Sequence, residues 1–194
     1  MKSFDFILAS ASPRRIEIMK NNGFSPMVMP ADIEENLPAI GGMKETAMFL
    51  ALKKAKAVES CLDHDCLDSR CHLIIAADTI VYKDEIMGKP LDAEDAFRML
   101  SALRGTYHHV VTGVALVEVG AQNSRVFAEV TKVFFKDYSD EELRQYLSTD
   151  EAYDKAGAYA IQGYFSRYIE RIEGDYDNVV GFPWKRIESE LKLL

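Results

Sequence analysis

The sequence has no apolar run approaching the roughly 20 residues of a membrane-spanning helix. It also lacks a basic excess. Its 23 Lys and Arg residues face 31 Asp and Glu residues, for a formal net charge of −8. Without a basic stripe, nucleic-acid binding is not expected, and an anionic ligand would be held by a few local cations. Cysteine is scarce and odd in number: Cys61, Cys66 and Cys71 are the three. That argues against a disulfide scaffold. Near the N-terminus only Phe6 to Ala9 is uninterrupted apolar sequence, too short for a signal-peptide core, so a cytoplasmic protein is expected. Internal repeats and low-complexity linkers are absent as well. The 194 residues suffice for one substantial core, and a single domain over 1–194 is expected.

What is present reads as alternating strands and helices. Phe4 to Ala9 is a short strand pattern, and Ser12 with Pro13 opens a helix ending near Asn22. Phe24 to Met29 reads as a second strand, and "PADIEENLPAIGG" as a loop. Lys44 to Ser60 has helical periodicity, with Ala47, Leu50, Ala51, Ala55 and Val58 as its apolar stripe. "LIIAADTIVY", Leu73 to Tyr82, suits a central strand buried on both faces. "KDEIMGKP" reads as a turn, and Asp92 caps a helix through Leu103. His109–Val119 and Arg125–Phe135 are β-rich runs joined by "GAQN". Ser139 and Glu142 have capping-box spacing before a helix to Leu147. "AGAYAIQGY" reads as a loop, Arg167–Ile172 as a strand and Pro183–Leu194 as an amphipathic helix. The irregular alternation predicts an α/β protein with a mixed sheet.

Several residues sit where their chemistry does not belong. Asp78 lies inside the central run, after five apolar residues. A buried unpaired carboxylate costs several kcal/mol, roughly, or takes up a proton. It is either a strand-end carboxylate bonded to backbone groups, or a metal ligand or general base; its misplaced companions favour the second. Lys54 falls within an apolar stripe, between Leu50 and Val58, where a lysine snorkels to the rim or meets an anion. Arg14 and Arg15 occupy the first turn of a helix and oppose its dipole. They are either solvated arginines or half of a phosphate site at a helix N-terminus. The Cys61–His72 segment, "CLDHDCLDSRCH", admits a zinc site, but it lacks a close CxxC pair and reads better as a surface loop.

Taken in order, these stretches resemble the Maf family of nucleotide pyrophosphatases, also called septum-formation proteins. The likeness rests on "LASASPRR" at 8–15, "DIEE" at 32–35, "KKAKA" at 53–57 and "AADTIV" at 76–81. It continues through "GKP" at 88–90, "TGVAL" at 112–116, "DKAGAYAIQG" at 154–163 and "IEGDYDNVVGFP" at 172–183. The resemblance implies an elongated mixed sheet flanked by helices, with two lobes and a central cleft, similar to the inosine-triphosphate pyrophosphatases. It implies hydrolysis of a nucleoside triphosphate to the monophosphate and pyrophosphate with Mg²⁺ or Mn²⁺. The catalytic aspartate falls on Asp78 and the acidic loop residue on Glu35, both expected at the metal. Substrate cations fall on Arg14, Arg15, Lys54 and Lys89, with Ser10 and Ser12 beside them. The branch preferring dTTP and UTP carries Thr after the aspartate and Gln in the "IQG" loop, here Thr79 and Gln162. The chain departs from the pattern at Ala160, where glycine is common, and in the residues after "QG".

The expected partner is therefore a small nucleotide, with neither nucleic acid nor membrane, and a homodimer is compatible with the sequence. Two rivals stand beside the pyrophosphatase: a nucleotide-binding regulator of cell division without turnover, and a phosphatase releasing orthophosphate stepwise. Product identity separates them.

Overall fold

The computed structural model describes residues 4–34, 41–62, 71–121 and 124–194. The strands are β1 (Phe4–Leu8), β2 (Met27–Val28), β3 (Cys71–Lys83), β4 (Glu85–Met87), β5 (Tyr107–Glu118), β6 (Ser124–Phe135) and β7 (Ile169–Glu173). The helices are α1 (Pro13–Asn21), α2 (Met43–Cys61), α3 (Ala93–Leu103), α4 (Asp140–Leu147), α5 (Tyr176–Val180) and α6 (Trp184–Leu191). The sheet runs β2-β1-β3-β5-β6-β7, with β4 paired to β3 off that path. It is mixed: β1 is parallel to β2 and β3, whereas β3–β4 and β6–β7 are antiparallel. The expected α/β class with a mixed sheet and flanking helices is what the chain forms.

The chain divides into two compact units. One holds Met1–Thr79, Thr112–Glu129 and Val180–Leu194; the other holds Ile80–Val111 and Val130–Val179.

In the first unit, alternation along β3 sorts its side chains onto two faces. Ile74 and Ala76 pack with Ala51, Ala55 and Val58 of α2 and with Ala115 of β5. Leu73, Ile75 and Ala77 pack with Met19 of α1 and with Trp184 and Ile187 of α6. This two-sided burial explains why the run reads as continuously apolar. Gly113 on β5 permits the close approach of α2: a Cβ there would lie 2.2 Å from the backbone carbonyl of Ala47. Helix and strand touch backbone to backbone, which is the physical content of "TGVAL".

The second unit is built on aromatic side chains. Phe135 and Phe165 are fully buried, and Tyr138, Tyr146 and Tyr159 surround them with ring centroids 4.8–6.1 Å apart. Tyr138 donates its hydroxyl to the Leu100 carbonyl (2.7 Å), fixing α3. In "IEGDYDNVVGFP", the Thr131 hydroxyl donates to the Asp175 carbonyl (3.0 Å) and accepts from the Asp175 N–H (3.1 Å). The Asn178 amide donates to the same hydroxyl (3.0 Å) and to the Val110 carbonyl (3.1 Å).

Several boundaries differ from the sequence reading. The second strand is two residues long instead of Phe24–Met29, because it pairs with β1 only at Met27 and Val28. "KDEIMGKP" contains a strand, β4, whose Ile86 pairs with Tyr82; three residues are too few for a visible period. α5 lies between Ile172 and Pro183, where the sequence reading assigned no element, and the last helix ends at Leu191. Ser12 does precede the first helical residue, but its side chain makes no cap hydrogen bond. The expected capping box of Ser139 and Glu142 forms in both directions. The centre of the "PADIEENLPAIGG" loop, part of the "GAQN" link and 63–70 of the cysteine-rich segment lie outside the described residues.

Candidate active site

The two most misplaced residues of the sequence meet each other. Asp78 continues the even-numbered face of β3 toward α2, and Lys54 continues the apolar stripe of α2 toward β3. The Lys54 ammonium donates to Asp78 Oδ1 at 2.5 Å, with side chains only 14% and 9% exposed. The lysine in the stripe therefore meets an anion, and that anion is the strand aspartate. A pair this shielded loses far more hydration than a surface pair. A pair of this kind in an otherwise apolar interface makes Asp78 and Lys54 candidates for the chemistry of the site.

Next to Lys54, Lys53 donates from Nζ to the Glu34 carbonyl at 2.7 Å. This holds the acidic loop to α2 at Glu34. Glu35, the expected second metal ligand, lies outside the described residues. Among the described residues no three His, Cys, Asp or Glu side chains group to hold a metal ion. The zinc reading fell on 61–72: Cys61 is a free, exposed thiol, and most of the remaining segment lies outside the described residues.

The two arginines have different surroundings. Arg15 lies on the other face of β3. Its Nε donates to the Gly181 carbonyl (2.9 Å), and its Nη1 to the Ala77 carbonyl (2.7 Å) and Ser10 Oγ (3.2 Å). Its Nη2 donates to Thr79 Oγ1 at 3.3 Å. The Thr79 hydroxyl also lies 3.0 Å from that of Thr112. Thr79 thus points away from Asp78, as alternation requires, into a cluster that ties α1, β3, β5 and the "VVGFP" turn together. Ser10 is buried, and its hydroxyl accepts the Ser12 N–H at 3.2 Å. Arg14 is half-buried, and its side chain makes no hydrogen bond or ion pair among the described residues. With Pro13 at the first position and no Ser12 side-chain cap, the first turn of α1 is not capped by its own N-cap side chain.

In the second unit, Lys89 is exposed beside Gly88, whose carbonyl accepts the Gly157 N–H at 3.0 Å. "GKP" is thereby tied to "DKAGAYAIQG". The Asp154 carboxyl is held below its ordinary range, first by its bond to Lys155 and to a lesser degree by the charge of Lys89. Gln162 is exposed, flanked by buried Ile161 and by Gly163, whose N–H donates to the Ala160 carbonyl at 3.3 Å. Sequence reasoning missed the Arg15 tether: an arginine bonded to backbone carbonyls leaves no pattern in spacing. It also passed over Glu151, whose carboxylate accepts the Tyr164 N–H at 2.9 Å.

The family model described as Maf-like protein matches residues 5–194. A dTTP/UTP pyrophosphatase of Alkaliphilus oremlandii is 47% identical over 177 residues, 91% of this chain and 89% of that protein. One of Geobacter sp. (strain M21) is 44% identical over 196 residues, 100% of this chain and 97% of that protein. One of Geobacillus sp. (strain WCH70) is 42% identical over 189 residues, 97% of each. Among solved structures, the Staphylococcus aureus Ham1 protein matches at 15% identity and a TM-score of 0.43, over 69% of this chain and 72% of that one. With a family model covering nearly its whole length and relatives at this identity, the chain belongs to the Maf family.

Proposed function

We propose that this protein hydrolyses dTTP and UTP to the nucleoside monophosphate and pyrophosphate. The observation that carries the proposal is the shielded Lys54–Asp78 pair, formed by the two residues least expected at their positions. The names of the relatives support the substrate class.

Asp78 acts as general base. It accepts a proton from a water that attacks the α-phosphorus. The new P–O bond forms as the α–β bridging P–O bond breaks, and the electron pair leaves with pyrophosphate. Lys54, already at hydrogen-bond distance from the base, fixes the carboxylate and offers positive charge to the phosphates. Arg14 and the N-terminal end of α1 bind phosphate oxygens through charge and the helix dipole. Arg15, with Ser10, Ser12 and Thr79, holds the turn that presents them. Lys89 adds charge, and Gln162 reads the base.

Asp78 fits part of the ligand set of a hard cation: it offers carboxylate oxygens of the type Mg²⁺ or Mn²⁺ takes. Glu35 is the second ligand in this proposal. Such an ion would supply charge neutralisation between the carboxylates and the triphosphate.

An amide side chain carries both a donor and an acceptor, matching the N3–H and carbonyl edge of uracil or thymine. Cytosine has an acceptor where uracil has a donor, so an amide held to read uracil meets it with a mismatched group. The test is a kcat/KM series over dTTP, UTP, CTP, ATP and GTP, scoring pyrophosphate against orthophosphate, on wild type and Gln162→Leu. dTTP and UTP are expected to lead with pyrophosphate as product, and the variant to narrow the gap. Orthophosphate release would establish the stepwise phosphatase, and no turnover the binding module.

A further inference from the structure

We infer that Glu151 is a positioning residue for base selection: its carboxylate fixes the backbone that follows Gln162 and so sets where the Gln162 amide is presented. The inference rests on the reading of Gln162 as the base-contacting residue.

Glu151 lies in a short 3₁₀ turn, Asp150–Ala152, just after α4. One carboxylate oxygen, Oε2, accepts the Tyr164 N–H at 2.9 Å, and the other, Oε1, accepts the Tyr146 hydroxyl at 3.3 Å. The Tyr146 side chain is fully buried. Burial and then the neighbouring Glu151 charge push its phenol above its ordinary range, so it keeps its proton and donates. The carboxylate is thus anchored from below by α4 and spends its other oxygen on the main chain two residues after Gln162.

Gly163 supplies independent support. Its φ of −108° and ψ of −163° are open to any residue, so conformation does not demand glycine. Space does: a Cβ there would lie 2.0 Å from Glu151 Oε1 and 2.5 Å from Oε2. The carboxylate occupies the volume that a side chain at 163 would need. The Tyr164 ring also stacks on Tyr146, with centroids 6.0 Å apart and planes 15° apart. The segment after Gln162 is therefore pressed onto α4 by a charged hydrogen bond, a ring stack and the absence of one side chain.

Such a fixture matters because Gln162 is long and exposed. Its amide can discriminate hydrogen-bonding edges only when its backbone is held, since small misplacements forfeit oriented bonds.

The experiment compares wild type, Glu151→Ala, Glu151→Gln, Gly163→Ala and Gln162→Leu by steady-state pyrophosphate release from dTTP and CTP, with Tm measured alongside. Glu151→Ala is expected to raise KM for dTTP about tenfold, to change kcat less than about threefold, and to lower the dTTP-over-CTP ratio about tenfold. Gly163→Ala should reproduce this, because its Cβ evicts the carboxylate from both bonds. Glu151→Gln should recover most of the ratio, since an amide oxygen still accepts the Tyr164 N–H. An unchanged ratio in Glu151→Ala and Gly163→Ala, beside a lowered ratio in Gln162→Leu, overturns the inference while sparing the function. A collapse of kcat in Glu151→Gln overturns it too, because the charge would then act directly. Full discrimination in Gln162→Leu removes the base-reading role and this inference with it. Should Glu151→Ala fail to fold, Gly163→Ala and Glu151→Gln decide the question.

Discussion

Lys54 Nζ and Asp78 Oδ1 stand 2.5 Å apart between a helix and a central strand, both side chains largely shielded from solvent. In the proposed mechanism structure and catalysis both load this contact, and a double-mutant cycle separates them. Lys54→Met leaves a shielded carboxylate without its cation, so stability should fall by about 3 kcal/mol. Asp78→Asn should lower kcat about 10²-fold or more with the fold retained. The double variant should regain much of the lost stability, because no unpaired charge is left, while remaining inactive. Urea titrations and pyrophosphate-release kinetics on the four proteins provide the check. Near-normal turnover in Asp78→Asn would remove it from the role of base.

Arg14 and Arg15 are adjacent in sequence and should behave oppositely. Arg15→Ala withdraws donors from the Ala77 and Gly181 carbonyls, and is expected to cost about 2–3 kcal/mol of stability. Arg14→Ala removes a side chain without a partner among the described residues and should leave stability within about 0.5 kcal/mol. Its kcat/KM should fall by about 1.5–3 kcal/mol, the range of a hydrogen bond to a charged group. The reverse pattern would interchange the tether and the phosphate ligand.

The sequence made the strand of Asp78 and the helix of Lys54 legible, because each breaks a hydrophobic period at one position. That the two breaks answer each other was not legible, since pairing depends on the register of α2 over β3. Gly113 sets that approach, and one glycine in a strand run signals closeness without naming its partner. The adjacent arginines read as one phosphate motif; only the backbone carbonyls around Arg15 separate them, and carbonyls carry no sequence signal. β4 and α5 were missed because three and five residues are shorter than a period can reveal.

Gly113 offers a test of how α2 places Lys54. In Gly113→Ala the new Cβ would meet the Ala47 carbonyl carbon and oxygen at 2.2 Å and the Met48 nitrogen at 2.5 Å. These are backbone atoms within a helix and cannot rotate aside. The helix must shift from the sheet, at an expected cost of about 1–3 kcal/mol. Because Lys54 rides on the same helix, kcat/KM should fall even though residue 113 touches no substrate. A crystal structure of the variant should show α2 displaced; an unmoved helix with wild-type stability would contradict this account of the motif.

His108 predicts how stability responds to acid. It is fully buried on β5, with Nε2 2.8 Å from the Tyr159 hydroxyl and its ring against Phe135. Burial, with smaller contributions from the charges of His109 and Lys83, pushes its imidazole down from 6.5 to about 4. Between those two values the unfolded chain binds a proton at this site that the folded chain refuses. The stability due to neutral His108 is therefore fully present above about pH 6.5 and is lost progressively as pH falls toward 4. The full shift corresponds to about 3 kcal/mol. His109 is also held below its ordinary value, by partial burial and then Lys132, and it contributes with the same sign. The informative quantity is thus the difference between wild type and His108→Gln, which keeps a partner for Tyr159. Wild type should be the more stable at pH 7.5, with its advantage shrinking by pH 4.5 in urea titrations taken at intervals across that range. The Asp95, Glu142 and Asp154 carboxyls are all held low, by bonds to Arg98, Ser139 and Lys155 respectively, so their own losses fall below this window. A constant difference across the range would mean that the imidazole takes up its proton alike in the folded and the unfolded chain.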